Sequence, residues 1–264
     1  MMNRKALFFD VDGTLLSEVT RKVPKSAVVA LAEARKKGHL VFINSGRVYS
    51  HLGPIREMVE ADGYLCGCGT CIVVEGQVLY QYRIPHERGI QIKKEILAHR
   101  LDGILEATQG CYFRKETSWI PEVERLRSIM SASGMESEYG WKEDCYEYDK
   151  FCIWADENSD CQGLFESLKP DIEVIDRGDG FYECVPAGHS KATAIQMILE
   201  HYGLNLENAY VFGDSTNDLP MFAYAKNAVL MGHHSKELEP YATFVTKTVE
   251  EDGIAYAMKQ LGIL

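Results

Sequence analysis

Two groups of acidic residues follow apolar segments of the sequence, and residues of this type can hold a cation. Asp10 and Asp12 follow the first apolar run of the chain, and Asp214 and Asp218 follow a later one. If both runs are strands of one parallel sheet, the carboxylates meet beyond the carboxyl ends of those strands, where ligands of such sheets collect. Carboxylates that lie close together repel one another and require a cation. Mg²⁺ suits such an oxygen site, so the spacing predicts a Mg²⁺ site at this edge.

Asp10 and Asp12 are two residues apart, and the glycine after them permits the chain to turn. One carboxylate can then act as a metal-bound nucleophile while the other, directed away, donates and accepts a proton. A solvated acidic turn is the alternative interpretation of one such pair. It does not explain why two acidic turns follow two predicted strands.

A hydroxyl and a lysine elsewhere in the sequence could bind phosphate oxygens at the same edge. Ser45 follows the apolar run at 40–43, so its hydroxyl and the N–H groups of Gly46 and Arg47 can hold a phosphate at a helix N-terminus. Lys191, the second residue of another predicted helix, adds a point charge. Taken alone, Ser45 is equally consistent with a helix N-cap, and a single lysine is commonly solvated.

The elements that must position these residues alternate between strands and helices. Apolar runs at 6–10 and 40–43 predict buried strands, and the amphipathic segment 26–38 predicts the helix between them. The same alternation returns after residue 190. It favours an α/β domain with a parallel sheet, right-handed crossovers and helices on both faces.

The pattern changes between about Ile84 and Cys184. Helical segments there are mixed with short strands, and tight turns such as 109–110 and 178–180 indicate antiparallel pairing. We therefore predict an α+β module inserted into the α/β domain. The predicted domains span residues 1–83, 84–184 and 185–264, of which the first and last form one domain.

The composition excludes several classes of partner. The 264 residues include 28 Lys and Arg against 39 Asp and Glu, and the resulting net charge of −11 repels nucleic acids and anionic membranes. No uncharged apolar stretch reaches the roughly 18 residues expected of a membrane-spanning helix, and the first residues lack the pattern of a signal peptide. Eight cysteines without an export signal are typical of reduced thiols, so we expect a cytoplasmic protein.

In order and spacing, the acidic turns, the serine and the lysine resemble the four motifs of the haloacid dehalogenase superfamily of phosphohydrolases. The motifs are Asp10-Val11-Asp12-Gly13-Thr14, Ser45, Lys191 and Gly213-Asp214-Ser215-Thr216-Asn217-Asp218. The insert occupies the place of the C2 cap, and its α+β pattern resembles the Cof-type, or IIB, branch. The resemblance covers the whole chain and implies a Rossmann-like parallel-sheet core with an inserted α+β cap domain.

The resemblance also implies roles for the motif residues. Asp10 becomes the nucleophile that carries an aspartyl phosphate, and Asp12 becomes the general acid and base. Ser45 and Lys191 bind the transferring phosphoryl group, and Lys191 also steadies Asp10. Asn217 matches a position that contacts phosphate.

For the metal, the resemblance implies that Mg²⁺ is held by the Asp10 carboxylate, the Asp12 backbone carbonyl and Asp214. Asp218 supports these ligands from close by. Gly46 and Arg47 are further candidates for contact with the substrate.

Two segments depart from the pattern of the branch. A Ser-Asn-Gly-like turn normally follows the third strand, but here the sequence is Cys66-Gly67-Cys68-Gly69-Thr70-Cys71. Any polar contact made by that asparagine is therefore in question. Asn44-Ser45-Gly46-Arg47 replaces Ala-Thr-Gly-Arg and keeps a hydroxyl. The three cysteines could bind zinc, but they lack a paired Cys-x-x-Cys spacing and a fourth ligand nearby, so we expect packed thiols.

These features together predict a Mg²⁺-dependent phosphatase that cleaves phosphomonoesters of small metabolites, sugar phosphates first, through an aspartyl-phosphate intermediate. A phosphomutase, which returns the phosphoryl group to a sugar hydroxyl, would use the same Asp10 chemistry. A signalling module that only accepts phosphate on an aspartate belongs to a different class. Asp12 argues against it, because such a module requires no acid there and carries no cap. The sequence does not determine the oligomeric state.

Overall fold

The computed structural model describes residues 4–264, which form thirteen strands and eight α-helices. The strands are β1 (Ala6–Phe9), β2 (Leu40–Asn44), β3 (Gly63–Cys66), β4 (Cys71–Val74), β5 (Gln77–Gln81), β6 (Asp102–Ala107), β7 (Gly110–Tyr112), β8 (Lys150–Trp154), β9 (Ile172–Asp176), β10 (Phe181–Pro186), β11 (Ala209–Gly213), β12 (Asn227–Leu230) and β13 (Phe244–Val245). The helices are α1 (Lys25–Lys36), α2 (Gly53–Met58), α3 (His86–Ala98), α4 (Pro121–Ala132), α5 (Cys161–Leu168), α6 (Lys191–Tyr202), α7 (Leu219–Tyr224) and α8 (Gly253–Gln260).

Contacts divide these elements into two units. Unit 1 contains residues 4–47, 52–80 and 189–264, and unit 2 contains residues 48–51 and 81–188. The predicted domain bounds and the cap role of the insert stay predictions.

An eight-stranded sheet forms the centre of unit 1, in the order β13-β12-β11-β1-β2-β3-β4-β5. The strands from β13 to β3 are parallel, and β4 is antiparallel to β3. All four side chains of β1 are buried, as the unbroken apolar run predicts for a strand covered on both faces. The predicted α/β fold with a mostly parallel sheet is therefore confirmed. Strands β4 and β5 are an extension that the sequence analysis does not predict.

The core of unit 1 brings apolar side chains of the sheet and of α6 together. Phe8 and Phe42 stack on adjacent strands, with ring centroids 5.1 Å apart. Ile195, Ile198 and Leu199 of α6 are buried in the same cluster. Burying each such side chain contributes roughly 1.5–3 kcal/mol. This packing fixes α6, and with it Lys191 at the first position of the helix.

Unit 2 is built on a five-stranded antiparallel sheet in the order β7-β6-β8-β10-β9. The tight turns predicted in this region join β6 to β7 and β9 to β10, so the predicted antiparallel pairs are confirmed. Leu105, Phe151 and Ile153 pack with residues of α3 and α5 in one apolar cluster. Ile104 and Cys152, which alternate with them along the strands, pack with α4 in another. Within residues 4–264, no helix has both the length and the apolar character needed to cross a bilayer.

Candidate active site

Adjacent parallel strands bring the two acidic turns together. β1 and β11 pair in parallel with Phe9 opposite Phe212, so Asp10 and Asp214 follow neighbouring strands at the same edge of the sheet. The Asp10 N–H donates to the Phe212 carbonyl at 3.0 Å and extends the pairing into the turn. Carboxylate oxygens of Asp10, Asp214 and Asp218 lie within 4.8 Å of one another. We call these three carboxylates and Lys191 the acidic cluster.

Gly13 lets the first turn approach Asp214 closely. Its φ is +80°, and a Cβ placed on it would lie 2.3 Å from Asp214 Oδ2, closer than real Cβ contacts allow. The adjacent Thr14 hydroxyl donates to Asp214 Oδ1 at 2.7 Å. Any side chain at residue 13 would therefore displace the Asp214 carboxylate. The sequence analysis assigns no role to Thr14, although it quotes the residue within the motif.

Asp218 uses both of its oxygens to organise the second turn. Its Oδ2 accepts hydrogen bonds from the N–H groups of Asp214 at 2.9 Å and Ser215 at 3.0 Å. Its Oδ1 accepts a hydrogen bond from Lys191. Asp218 is fully buried, and these bonds hold the backbone that presents Asp214. The geometry therefore fits a supporting position.

Lys191 lies at the centre of the acidic cluster and is fully buried. The helix that carries it begins with a capping box between Ser190 and Thr193, which fixes the helix start. Its Nζ donates to Asp10 Oδ1 at 2.6 Å and to Asn217 Oδ1 at 3.1 Å, in addition to Asp218. One ammonium group thus contacts residues from both acidic turns.

The charges of the acidic cluster do not balance, because three carboxylates surround one ammonium group. Burial raises the pKa of Asp10 to about 7, Lys191 opposes this rise, and Asp218 adds to it. Burial and the nearby Asp10 and Asp218 raise the pKa of Asp214 to about 8. Burial disfavours a charged lysine, but the carboxylates outweigh it and raise the pKa of Lys191 above its usual value. The site therefore favours additional positive charge.

This excess of negative charge agrees with the predicted divalent cation. Asp10 Oδ1 is bound by Lys191 and Asp214 Oδ1 by Thr14, and the hydrogen bonds found within residues 4–264 leave the other oxygen of each unused. Hard oxygen donors of this kind are the ligands that Mg²⁺ prefers. The residues present thus fit such an ion, with Asp10 and Asp214 as its carboxylate ligands.

Ser45 lies at the end of β2 and is buried. Its N–H donates to the Leu65 carbonyl at 2.8 Å, which fixes the backbone of the turn. Its Oγ accepts a hydrogen bond from the Arg47 N–H at 3.1 Å. This bond leaves the hydroxyl proton available for an anionic ligand. Gly46 lies between these two residues.

Arg47 makes a contact that the sequence analysis does not predict. Its Nε and Nη2 donate to the two oxygens of Asp12 at 2.8 and 2.6 Å, so the guanidinium holds that carboxylate in a bidentate pair. The two side chains remain 30% and 38% exposed. The structure thus brings Arg47 to Asp12, and its predicted contact with a substrate stays a prediction.

The cysteine-rich turn after β3 packs beneath the Ser45 loop. Cys68 is buried, has φ 53°, and donates its N–H to the Ser45 carbonyl at 3.1 Å. Among residues 4–264, only the acidic cluster brings three metal-ligating side chains within 4.8 Å of one another, so the trio of Cys66, Cys68 and Cys71 does not form such a group. Asn44, at a position that departs from the branch pattern, donates to the Lys191 carbonyl at 3.0 Å.

Comparisons with known proteins agree with this geometry. The family model described as haloacid dehalogenase-like hydrolase matches residues 7–258. The Bacillus subtilis protein YkrA, whose name assigns it provisionally to the phosphatases, is 31% identical over the full length of both chains. Among solved structures, the phosphatase BT1666 of Bacteroides thetaiotaomicron is 29% identical, with a TM-score of 0.85 over 99% of this chain and 96% of that one.

A second solved structure is described as the subclass IIB sugar phosphatase BT4131. It is 28% identical, with a TM-score of 0.82 over 98% of this chain and all of that one. The resemblance stated from the motifs, and the prediction of an enzyme of the phosphatase type, are confirmed by these matches. The chain belongs to the family of haloacid dehalogenase-like hydrolases.

Proposed function

We propose that this protein hydrolyses phosphomonoesters of small metabolites with Mg²⁺, through a phosphoryl group carried on Asp10. The observation that carries the proposal is the buried Asp10 carboxylate, which Lys191 contacts at 2.6 Å beside two further carboxylates. Phosphoryl transfer depends mainly on alignment and on neutralising charge. A cation at Asp10 and Asp214 would neutralise charge on the phosphate and on its nucleophile.

The first half of the reaction transfers the phosphoryl group to the protein. An oxygen of Asp10 attacks phosphorus, the bond to the ester oxygen breaks, and Asp12 gives a proton to the departing alcohol. Lys191 and the Ser45 hydroxyl bind the phosphoryl oxygens, whose negative charge spreads in the transition state. Asn217, which Lys191 contacts, adds a polar group at the same place.

The second half returns the site to its starting state. Asp12 accepts a proton from water, the water oxygen attacks phosphorus, and the bond to Asp10 breaks to release inorganic phosphate. One residue thus acts first as acid and then as base. The bidentate pair with Arg47 orients the ionised Asp12 carboxylate for the second of these transfers, in which it accepts the proton.

Sugar phosphates are the substrates we propose first. BT4131, which the chain resembles over nearly its whole length, is described as a sugar phosphatase. A phosphomutase would use the same residues and differ only in the acceptor of the phosphoryl group. Measurement of inorganic phosphate against isomerised sugar phosphate separates the two activities.

The experiment is a screen of phosphorylated metabolites with Mg²⁺, ranked by kcat/KM from the release of inorganic phosphate. Asp10→Asn should abolish turnover. With p-nitrophenyl phosphate, whose leaving group needs no acid, Asp12→Ala should accumulate a phosphorylated protein that mass spectrometry detects, because the second half of the reaction lacks its base. Rapid hydrolysis by either variant, in protein that melts cooperatively, would contradict these roles.

A further inference from the structure

Unit 2 contains a cavity whose lining residues are not part of the candidate active site. Its volume is about 440 Å³, within the roughly 300–1,000 Å³ typical of small-molecule sites. Its lining comes from three segments of unit 2: the chain before α3, the hairpin between β6 and β7, and the segment before β8. The lining residues used below are Arg83, Gln109, Tyr112, Tyr139, Cys145 and Glu147.

The lining combines aromatic rings with unused polar groups. Tyr112 stacks on Tyr146 with ring centroids 3.7 Å apart and planes 4° apart, so the two rings form a rigid wall. The Tyr146 hydroxyl donates to the Gly140 carbonyl at 2.7 Å. Within residues 4–264, no hydrogen bond uses the hydroxyls of Tyr112 and Tyr139 or the side-chain amide of Gln109. These groups can bond to a ligand without breaking a bond within the protein.

The lining carries no excess of charge. Arg83 lies 3.6 Å from Glu147, so its positive charge already has a partner of opposite sign. Arg83 also lies 4.0 Å from the buried Asp149. A second phosphate or a carboxylate would have to compete with these acids for the one guanidinium. The cavity therefore favours an uncharged ligand.

A second cavity of unit 2 provides a contrast. Its volume is about 790 Å³, and Phe165, Pro170, Ile172 and Val174 contribute to its lining. Most of the exposed lining surface of that cavity is apolar, although Gln162, Glu166, Lys169 and Glu173 also contribute, whereas most of the exposed lining surface of the first cavity is polar. The smaller cavity is therefore suited to a ligand with many hydroxyl groups rather than to a hydrocarbon.

We propose that the 440 Å³ cavity binds an uncharged polyhydroxylated group, that of a sugar or a sugar alcohol. The C–H faces of such a group pack on tyrosine rings, and its hydroxyls bond with the tyrosine hydroxyls and the Gln109 amide. The ligand could arrive as a free polyol or as the alcohol part of a phosphate ester. The second source rests on the proposed function, and the first does not.

Two cysteines of unit 2 make the test possible in a single sample. Cys145 lines the proposed site, and Cys161 lines the second cavity. D-glucitol is added to the full chain, the thiols are alkylated with iodoacetamide, and the rate at each cysteine is measured by mass spectrometry. We expect D-glucitol to slow Cys145 alkylation saturably, at least about fivefold, and to leave Cys161 unchanged. Equal effects on both thiols, or none on Cys145, would overturn the proposal.

Matched variants test the lining directly. Gln109→Ala should raise the half-saturating D-glucitol concentration about three- to tenfold, the equivalent of one neutral hydrogen bond, and Tyr112→Phe should act similarly while keeping the stacked wall. Gln162→Ala removes the same amide from the second cavity and should change nothing. Gluconate, a carboxylate of the same size, should protect Cys145 at least about tenfold less well. Protection that is indifferent to Gln109 and Tyr112, or stronger with gluconate, contradicts the proposed chemistry.

A further arm separates the two sources of the ligand. Asp10→Asn protein is treated with D-glucitol or with D-glucitol 6-phosphate. Tighter protection by the ester supports a ligand that arrives as the alcohol part of a substrate, whereas equal or weaker protection supports a free polyol. Because protection needs no turnover, failure of the proposed phosphatase activity would leave this test interpretable. Protection by the ester alone, without protection by D-glucitol, would overturn the proposal of a site for an uncharged group.

Discussion

Each unit contains a lysine buried among carboxylates, but the two sets of charges are arranged differently. In the acidic cluster of unit 1, Lys191 is the one ammonium among three carboxylates. In unit 2, Lys150 contacts Glu106 at 2.9 Å and Glu183 at 2.6 Å. Arg177 and His51 add further partners to those two carboxylates, at 3.0 and 3.3 Å. We call these five residues the sheet cluster.

The balance of charge has opposite effects on the carboxyl groups. Burial alone would raise the pKa of Glu106, but Lys150 and His51 hold it well below its usual range. Burial opposes ionisation of Glu183 as well, yet Lys150 and Arg177 lower its pKa to about 2. In the acidic cluster, by contrast, the pKa values of Asp10 and Asp214 rise to about 7 and 8.

The comparison separates a structural use of buried charge from a functional one. A buried ion pair whose charges balance can hold strands together, although the free energy of desolvating the two charges offsets much of their attraction. A buried set with excess charge of one sign is destabilising by itself, and such perturbed groups are typical of functional sites. We therefore expect changes in the acidic cluster to affect chemistry and changes in the sheet cluster to affect stability.

Replacement of each lysine by methionine should give the largest difference between the clusters. Lys191→Met removes the ammonium group beside Asp10, the proposed nucleophile, and we expect kcat to fall about 10²- to 10³-fold, the loss typical of one preorganised donor. Lys150→Met should leave kcat of the folded protein within about threefold. The measurement is inorganic phosphate release under saturating substrate, at a temperature where both variants are folded. Comparable losses of kcat in the two variants would contradict the distinction between a functional acidic cluster and a structural sheet cluster.

Lys150→Met should instead lower the free energy of unfolding by about 3–5 kcal/mol, because it leaves two buried carboxylates without their shared partner. Urea unfolding with a far-ultraviolet signal measures this change. The triple variant Lys150→Met, Glu106→Gln and Glu183→Gln also removes the two carboxylate charges that Lys150 neutralises. It should recover at least half of the lost free energy of unfolding. A triple variant no more stable than Lys150→Met would show that charge balance does not explain the effect.

The sequence predicts the acidic cluster better than the sheet cluster, for a physical reason. Asp10 and Asp214 follow apolar strands, and the parallel alternation of the chain places those strand ends at one edge. Lys150 is the first residue of β8 and Glu106 the penultimate residue of β6, and a charged residue at a strand end is ordinarily solvated. Their burial depends on side chains from other segments, which no local pattern contains.

The direction in which a side chain points is a second feature that the sequence does not predict. The sequence makes Arg47 a candidate for contact with the substrate, but its bidentate pair with Asp12 is visible only in the coordinates. The sequence analysis does not predict strands β4 and β5, because a hairpin at the sheet margin does not follow the strand-helix alternation that identifies the other strands of unit 1. The sequence shows that the turn at 66–71 lacks the asparagine of the branch pattern. The hydrogen bond from the Cys68 N–H to the Ser45 carbonyl depends on a positive φ that the sequence does not show.

Addition of Mg²⁺ should stabilise the protein through the acidic cluster alone. A ligand at 100 times its Kd stabilises a folded protein by about 2.7 kcal/mol, and we expect a shift of this order in the free energy of unfolding. Asp214→Asn should lose most of the shift, since one carboxylate ligand and part of the repulsion are removed together. Asp149→Asn, at a buried aspartate of unit 2, should keep it. An unchanged shift in Asp214→Asn would contradict the proposed metal site.

Mild acid should weaken the sheet cluster, with a smaller effect. The folded pKa values of Glu106 and Glu183 lie below the value near 4.3 expected when the chain is unfolded. Their contribution to stability is therefore complete above about pH 5 and is lost as the pH falls toward the folded values. For two such groups, linkage predicts a loss of about 1 kcal/mol between pH 5 and pH 4. Urea unfolding at both pH values measures this contribution as the difference between the protein and its Glu106→Gln, Glu183→Gln variant, because Asp10 and Asp214, whose folded pKa values are raised, change the total stability in the opposite direction.

Glu183→Gln provides the sharpest version of this comparison. With one titrating carboxyl removed, the loss that the sheet cluster contributes between pH 5 and pH 4 should fall by about half, to roughly 0.5 kcal/mol. The exposed carboxylates that pair at the surface, such as Glu207 with Lys226, contribute little to such a slope, because solvent screens them. Glu207→Gln should therefore keep the wild-type dependence. If both variants reduce the slope equally, acid sensitivity belongs to the surface, and the sheet cluster is not the balanced buried set described here.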